Sequence, residues 1–127
     1  MTVWLSRQLI LAVHDEQLAE HGGAMGVRDD GLLDSALARP LNRAGYGGPD
    51  LAELAGLYAI AIARNHPFVD GNKRTAYVAL KTFIYLNGCG FPVGEADAVV
   101  NVLDMASGES TDEEFIAWVR SIITVPP

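Results

Sequence analysis

Apolar positions recur at helical spacing along most of this chain, and capping residues punctuate them. Ser6 can cap a first helix carrying Leu9, Ile10, Val13 and Leu18, which Gly22-Gly23 ends. Asp29 or Asp30 can start a second through Leu32, Leu33, Ala36 and Leu37, stopped before Pro40. Asp50-x-x-Glu53 has the form of a capping box and opens a third through Leu54, Leu57, Tyr58 and Ile62, ending near Arg64. The fourth is expected from about Asn72 to Leu86, burying Ala76, Leu80, Phe83 and Ile84, with Asn87-Gly88 as its stop. A fifth, near Ala96 to Ala106, is expected to bury Val99, Val100, Val102 and Leu103. Thr111-x-x-Glu114 is a second capping-box pattern, opening a sixth with Phe115, Trp118, Val119 and Ile122.

No alternating segment longer than Phe91-Pro92-Val93 competes as a strand. Leu41 to Pro49 is Gly-rich around Tyr46 and reads as a mobile loop or small hairpin. The pattern therefore predicts an all-α, compact bundle of about six helices, one domain spanning 1–127, with no repeat or linker.

Composition narrows the function classes. With 127 residues, half of them hydrophobic, the chain can bury a sizeable core. No apolar run approaches the roughly 20 residues of a membrane span, and the N-terminus lacks a signal-peptide pattern. The single Cys89 cannot form an internal disulfide, so a reducing, cytoplasmic setting is expected. The net charge of −7 argues against direct DNA binding. Yet Arg39, Arg43, Arg64, Lys73, Arg74 and Lys81 fall in a segment whose only acids are Asp50, Glu53 and Asp70. That imbalance suggests a local anion site on an acidic body, although scattered cations on solvated faces would give the same count.

The chemistry concentrates in His66-Pro67-Phe68-Val69-Asp70-Gly71-Asn72-Lys73-Arg74. His66 precedes a proline and should leave the helix there. Alone it would read as a helix C-terminal histidine; beside an anion site it can serve as a general base. Phe68 reads as an anchor. Asp70 can cap the fourth helix, hold Mg²⁺, or both. Gly71 permits close backbone approach by a ligand. Asn72, Lys73 and Arg74 enter the first helical turn, where cations oppose the helix dipole unless an anion shares that end. Arg64 either adds to the cationic patch or neutralises a helix C-terminus. No P-loop, G-x-G-x-x-G or zinc spacing is present. His14-Asp15 has no upstream histidine to complete a phosphohydrolase site, so His14 is expected to cap or pack within the first helix.

These nine residues resemble the signature of the Fic/Doc superfamily, and closely its Doc branch of toxins. His14-Asp15, Gly22-Gly23, Arg28-Asp29, Gly31-Leu32-Leu33 and Ala38-Arg39-Pro40 extend the likeness, which spans roughly Leu5 to Ile123. The resemblance implies the six-helix Fic fold and a nucleotide-dependent transferase acting on a protein hydroxyl. It implies His66 as base, Asp70 as Mg²⁺ ligand, and Gly71, Asn72, Lys73 and Arg74 as the anion hole, with a flap near Tyr46.

Adenylyl-transferring members usually carry Gly where Lys73 stands and Arg where Tyr77 stands; Doc proteins share this chain's departures. The resemblance therefore implies a serine/threonine kinase that transfers the γ-phosphoryl group of ATP, with elongation factor Tu as the known target class and translation arrest as the outcome. The alternatives are an adenylyltransferase and a catalytically inactive interaction module. The self-inhibitory pattern [ST]-x-x-x-E-[GN] is approached only by Ser110 to Glu114, where Phe115 follows instead. Control by a Phd-type antitoxin is therefore implied.

Overall fold

The computed structural model describes residues 1–126; Pro127, the last residue of the predicted domain, lies outside them. Six helices are present among the described residues: α1 (Arg7–His21), α2 (Asp30–Ala44), α3 (Leu51–Asn65), α4 (Asn72–Leu86), α5 (Glu95–Ser107) and α6 (Asp112–Ile122). The fold is all-α. The described residues contain no strand, only the isolated bridges Val27–Phe68 and Gly90–Thr124.

The helix starts follow from local chemistry. Ser6 accepts from the Leu9 N–H, Asp29 from Leu32 and Asp50 from Glu53. The Thr111/Glu114 box is reciprocal, each side chain accepting from the other's backbone N–H. The Asp50 box is half made, because Glu53 turns away to pair with Arg43 at 2.6 Å. Helix α3 is buried along nearly its whole length, from Ala52 through Ala63, with only Glu53 partly exposed. An apolar helix without a polar face belongs at the centre. It packs against α2, α4, α5 and α6, while α1 lies on α4. Small residues allow close approach: a Cβ on Gly56 would come within 2.7 Å of Ile116 Cγ1 on α6.

Four sequence expectations fail. Helix α2 does not stop before Pro40 but carries it as a buried residue and continues to Ala44. An internal proline costs about 3 kcal/mol through its missing N–H and ring clash. Burial of its ring offsets part of that cost, and the Arg43–Glu53 pair holds the last turn. Consequently the segment expected as a loop or hairpin from Leu41 begins as helix, and Gly45 to Pro49 forms a short turn. On α5, Val99, Val100 and Leu103 are exposed, whereas Ala98, Val102 and Met105 face the core. Apolar residues on both sides of that helix left its rotation to its neighbours. Finally, the N-cap of α4 is Gly71, not Asp70, and no side chain caps it.

Candidate active site

The signature residues form a tight crossing from α3 to α4. His66 ends α3 with φ 53° and ψ 53°, the only left-handed non-glycine among the described residues. Its N–H donates to Ile62 O at 3.3 Å. Left-handed geometry at a residue with a side chain costs of order 1–3 kcal/mol, so the surroundings must impose it. The reversal leaves His66 exposed while Pro67 and Phe68 turn inward and are buried.

Phe68 is the anchor expected of it, fully buried. Its N–H donates to the Asn72 side-chain oxygen, and the Asn72 amide donates back to its carbonyl, each at 2.9 Å. His14, on α1, stacks on Phe68 with ring centroids 3.8 Å apart. Its Nε2 donates to the Asp70 carbonyl at 2.8 Å. Thus His14 packs as expected, but its partner is the signature loop. The sequence signal for that role was a histidine between Ile10, Val13 and Leu18, on the one buried face of α1.

The α1–α2 connection runs antiparallel beside this crossing as a strap. Ala24 N–H reaches Asp70 Oδ2 at 3.3 Å, Val69 N–H reaches Gly26 O at 3.0 Å, and Arg28 N–H reaches Pro67 O at 2.7 Å. Gly23 is needed here: its φ is +124°, and a Cβ would fall 2.7 Å from Asp70 Oδ2. Asp70 Oδ1 accepts from Gly71 N–H at 2.8 Å. The Gly71 bond, and then the Ala24 bond, hold the Asp70 carboxyl below the usual carboxylate range.

His66, Asp70, Gly71, Asn72, Lys73, Arg74 and Leu103 line one cleft of about 290 Å³. Helix α4 presents the N–H groups of Asn72, Lys73 and Arg74 ahead of its first intrahelical bond; Thr75 N–H already donates to Gly71 O at 3.0 Å. The first turn contains no acid. It offers an uncapped dipole end with two cationic side chains, a site for an anion bearing several oxygens.

Several expected members are placed elsewhere. Arg64 is not part of the cleft. Its guanidinium donates to the Met105 carbonyl near the end of α5, at 3.0 Å from Nη2, and pairs with Asp112. Arg39 also pairs with Asp112, and Arg43 with Glu53, so half of the six clustered cations serve packing. Asn72 contributes its backbone to the cleft, since its side chain is spent on Phe68. Tyr46 lines a separate cavity of about 440 Å³ with Arg39, Arg43 and Glu113, under the Arg43 guanidinium. No hairpin flap surrounds it.

One carboxylate faces the cleft, and the described residues hold no group of three His, Cys, Asp or Glu side chains suited to a metal. That donor set fits Mg²⁺, which takes one or two carboxylates and completes its shell with phosphate and water. Asp70 is ionised, and each oxygen accepts one N–H, leaving lone pairs for an ion. Beyond the cleft, Tyr77 lies one turn further along α4. It lines an apolar slot of about 120 Å³ with Val99 and Val102 and with Lys73, Arg74 and Leu103, which also line the cleft. Lys81 sits over its ring at 4.4 Å, and burial, then Glu95, pushes its phenol upward.

Known proteins resemble this chain in sequence. The chain is 41% identical over 108 residues to Toxin Doc of Mycolicibacterium smegmatis, covering 80% of each chain. It is 35% identical over 85 residues to Protein kinase doc of Escherichia phage P1, covering 66% of this chain and 68% of that protein. The model of the Fic/DOC family matches residues 4–84, which include the strap and the whole crossing from α3 to α4. With its signature loop folded as one cleft at the start of α4, the chain belongs to the Fic/Doc family.

Proposed function

We propose that this protein is a Doc-type toxin that acts as a protein kinase. It would transfer the γ-phosphoryl group of ATP to a serine or threonine hydroxyl of a translation factor in the cytoplasm, elongation factor Tu being the target the family resemblance implies. The observation carrying this reading is the placement of His66 in one cleft with the uncapped, cationic start of α4. The relative named a protein kinase supports it further.

In this reading the imidazole of His66 accepts the proton of the target hydroxyl as its oxygen attacks the γ-phosphorus. The bond to the β-phosphate oxygen breaks, and ADP departs. Lys73, Arg74 and the free N–H groups of α4 hold the phosphate oxygens and offset their charge. Asp70 would hold Mg²⁺, which when bound neutralises phosphate charge as a Lewis acid. Such chemistry asks mainly for positioning and charge stabilisation, within reach of a small cleft.

Tyr77 supports γ- over α-phosphoryl transfer, because it stands where the resemblance places an arginine in adenylyl-transferring members and brings no cation of its own. Glu114 supports control in trans by a Phd-type antitoxin. It is occupied in the capping box of α6, and the next residue, Phe115, is buried. The described residues contain no helix long and apolar enough to cross a membrane.

The test uses purified elongation factor with ATP labelled at the γ or the α position. A phosphoryl-sized mass increase with γ-label retained is expected. An adenylyl-sized increase with α-label retained would replace the kinase by an adenylyltransferase. Equal growth arrest by wild type and His66→Ala would instead favour the inactive-module alternative.

A further inference from the structure

We propose that Arg28 is the positioning residue that holds His66 in its working orientation. This rests on the reading of His66 as the base. The Arg28 Nη2 donates to Asn65 O at 3.0 Å, and its Nε donates to His66 O at 2.7 Å. Its backbone N–H donates to Pro67 O at 2.7 Å. One residue thus grips three successive carbonyls.

The two side-chain bonds fall on the two peptide planes that flank the His66 Cα. Rotation of the first plane changes φ of His66, and rotation of the second changes ψ. Tying both to one rigid, planar guanidinium fixes both dihedrals together. That constraint is needed here, because left-handed geometry is strained for histidine and helical geometry is disfavoured before proline. The same bonds satisfy carbonyls at the end of α3 that have no helical partner. Arg28 lies outside the cleft lining, so it acts through the His66 backbone. Its side chain is exposed, and Arg28→Ala retains the backbone bond to Pro67. The fold should therefore survive the substitution.

The test compares wild type, Arg28→Ala and Arg28→Lys in the full chain. The first readout needs no substrate: the His66 ring resonances, with the buried His14 ring as internal control. The wild type should give one sharp set, and Arg28→Ala should broaden or split it while His14 is unchanged. The second readout is transfer from γ-labelled ATP to purified elongation factor. We expect kcat to fall about 10- to 100-fold, the range a misplaced catalytic group produces, with the KM for ATP within about twofold. Arg28→Lys should not restore it, since an ammonium lacks the planar fork. An unchanged His66 spectrum in Arg28→Ala overturns the proposal, as does unchanged kcat or full rescue by lysine. If wild type and His66→Ala transfer equally, the base assignment fails instead, and the His66 spectrum still decides whether Arg28 orients the ring.

Discussion

Asn72→Ala separates loop architecture from phosphate chemistry. The Asn72 side chain is 3% exposed and Phe68 0% exposed. Both hydrogen bonds between them lie in the interior. Truncation leaves the Phe68 N–H and C=O buried without these partners, and such a group costs about 1–3 kcal/mol. The two together predict a loss of about 2–6 kcal/mol, a large share of the 5–15 kcal/mol typical of a domain. For this chain length that corresponds to a fall in Tm of about 8–24 °C. Thermal unfolding and urea titration followed by circular dichroism measure it, the urea midpoint moving with little change in slope. Lys73→Ala is the control, because removing an exposed charge should change stability by no more than about 0.5 kcal/mol. If Asn72→Ala melts with wild type but no longer binds nucleotide, the side chain acts on phosphate and the assignment to Phe68 is wrong.

Lys73→Ala and Arg74→Ala should each retain the native circular dichroism spectrum and abolish phosphoryl transfer, since both side chains line the cleft. A large drop in Tm would point to structural roles. Arg64→Ala should cost about 1–2 kcal/mol through the lost bond to Met105 O and the Asp112 pair, leaving nucleotide affinity by calorimetry unchanged; a tenfold weaker affinity would return Arg64 to the phosphate site. Asp70 and Asp50 are both held below the usual carboxylate range, Asp70 by Gly71 and Ala24 N–H groups, Asp50 foremost by Arg120. A lowered folded value stabilises the fold above the unfolded value, near 4, and that contribution fades as pH falls through the folded value. Asp70→Asn should therefore flatten the dependence of Tm on pH below about 4 without altering its course between 5 and 8. An unchanged acid limb would show that the two N–H bonds do not favour the ionised form. Asp70→Ala should remove activity together with its Mg²⁺ dependence, so retained Mg²⁺-dependent transfer would exclude Asp70 as the ligand.

Local rules made the helical frame legible in the sequence. Ser6, Asp29, Asp50 and Thr111 cap where their types predict, because a cap needs only an oxygen within three residues of a free N–H. The bounds of α4 are local too, but through backbone conformation: Gly71 and Gly88, both at positive φ, flank the helix at its start and just after Asn87. The cationic first turn was likewise visible as a conflict with the helix dipole. Pro40 was misread because its penalty is local, whereas the burial and the Arg43–Glu53 pair that offset it are not. Rotation of α5 could not be read either, since its apolar residues exceed one face and only packing selects Ala98, Val102 and Met105.

The division within the site has the same origin. Sequence alone determined which groups could do chemistry: an imidazole, a carboxylate and two cations beside a helix start. Tertiary structure decided which of them are free to do it. Arg64 is drawn away by a carbonyl 41 residues distant, and Asn72 is committed to Phe68. His14 and Arg28 hold the loop from 56 and 38 residues away. A hydrogen bond depends on position in space, so separation along the chain conceals it until the helices have packed.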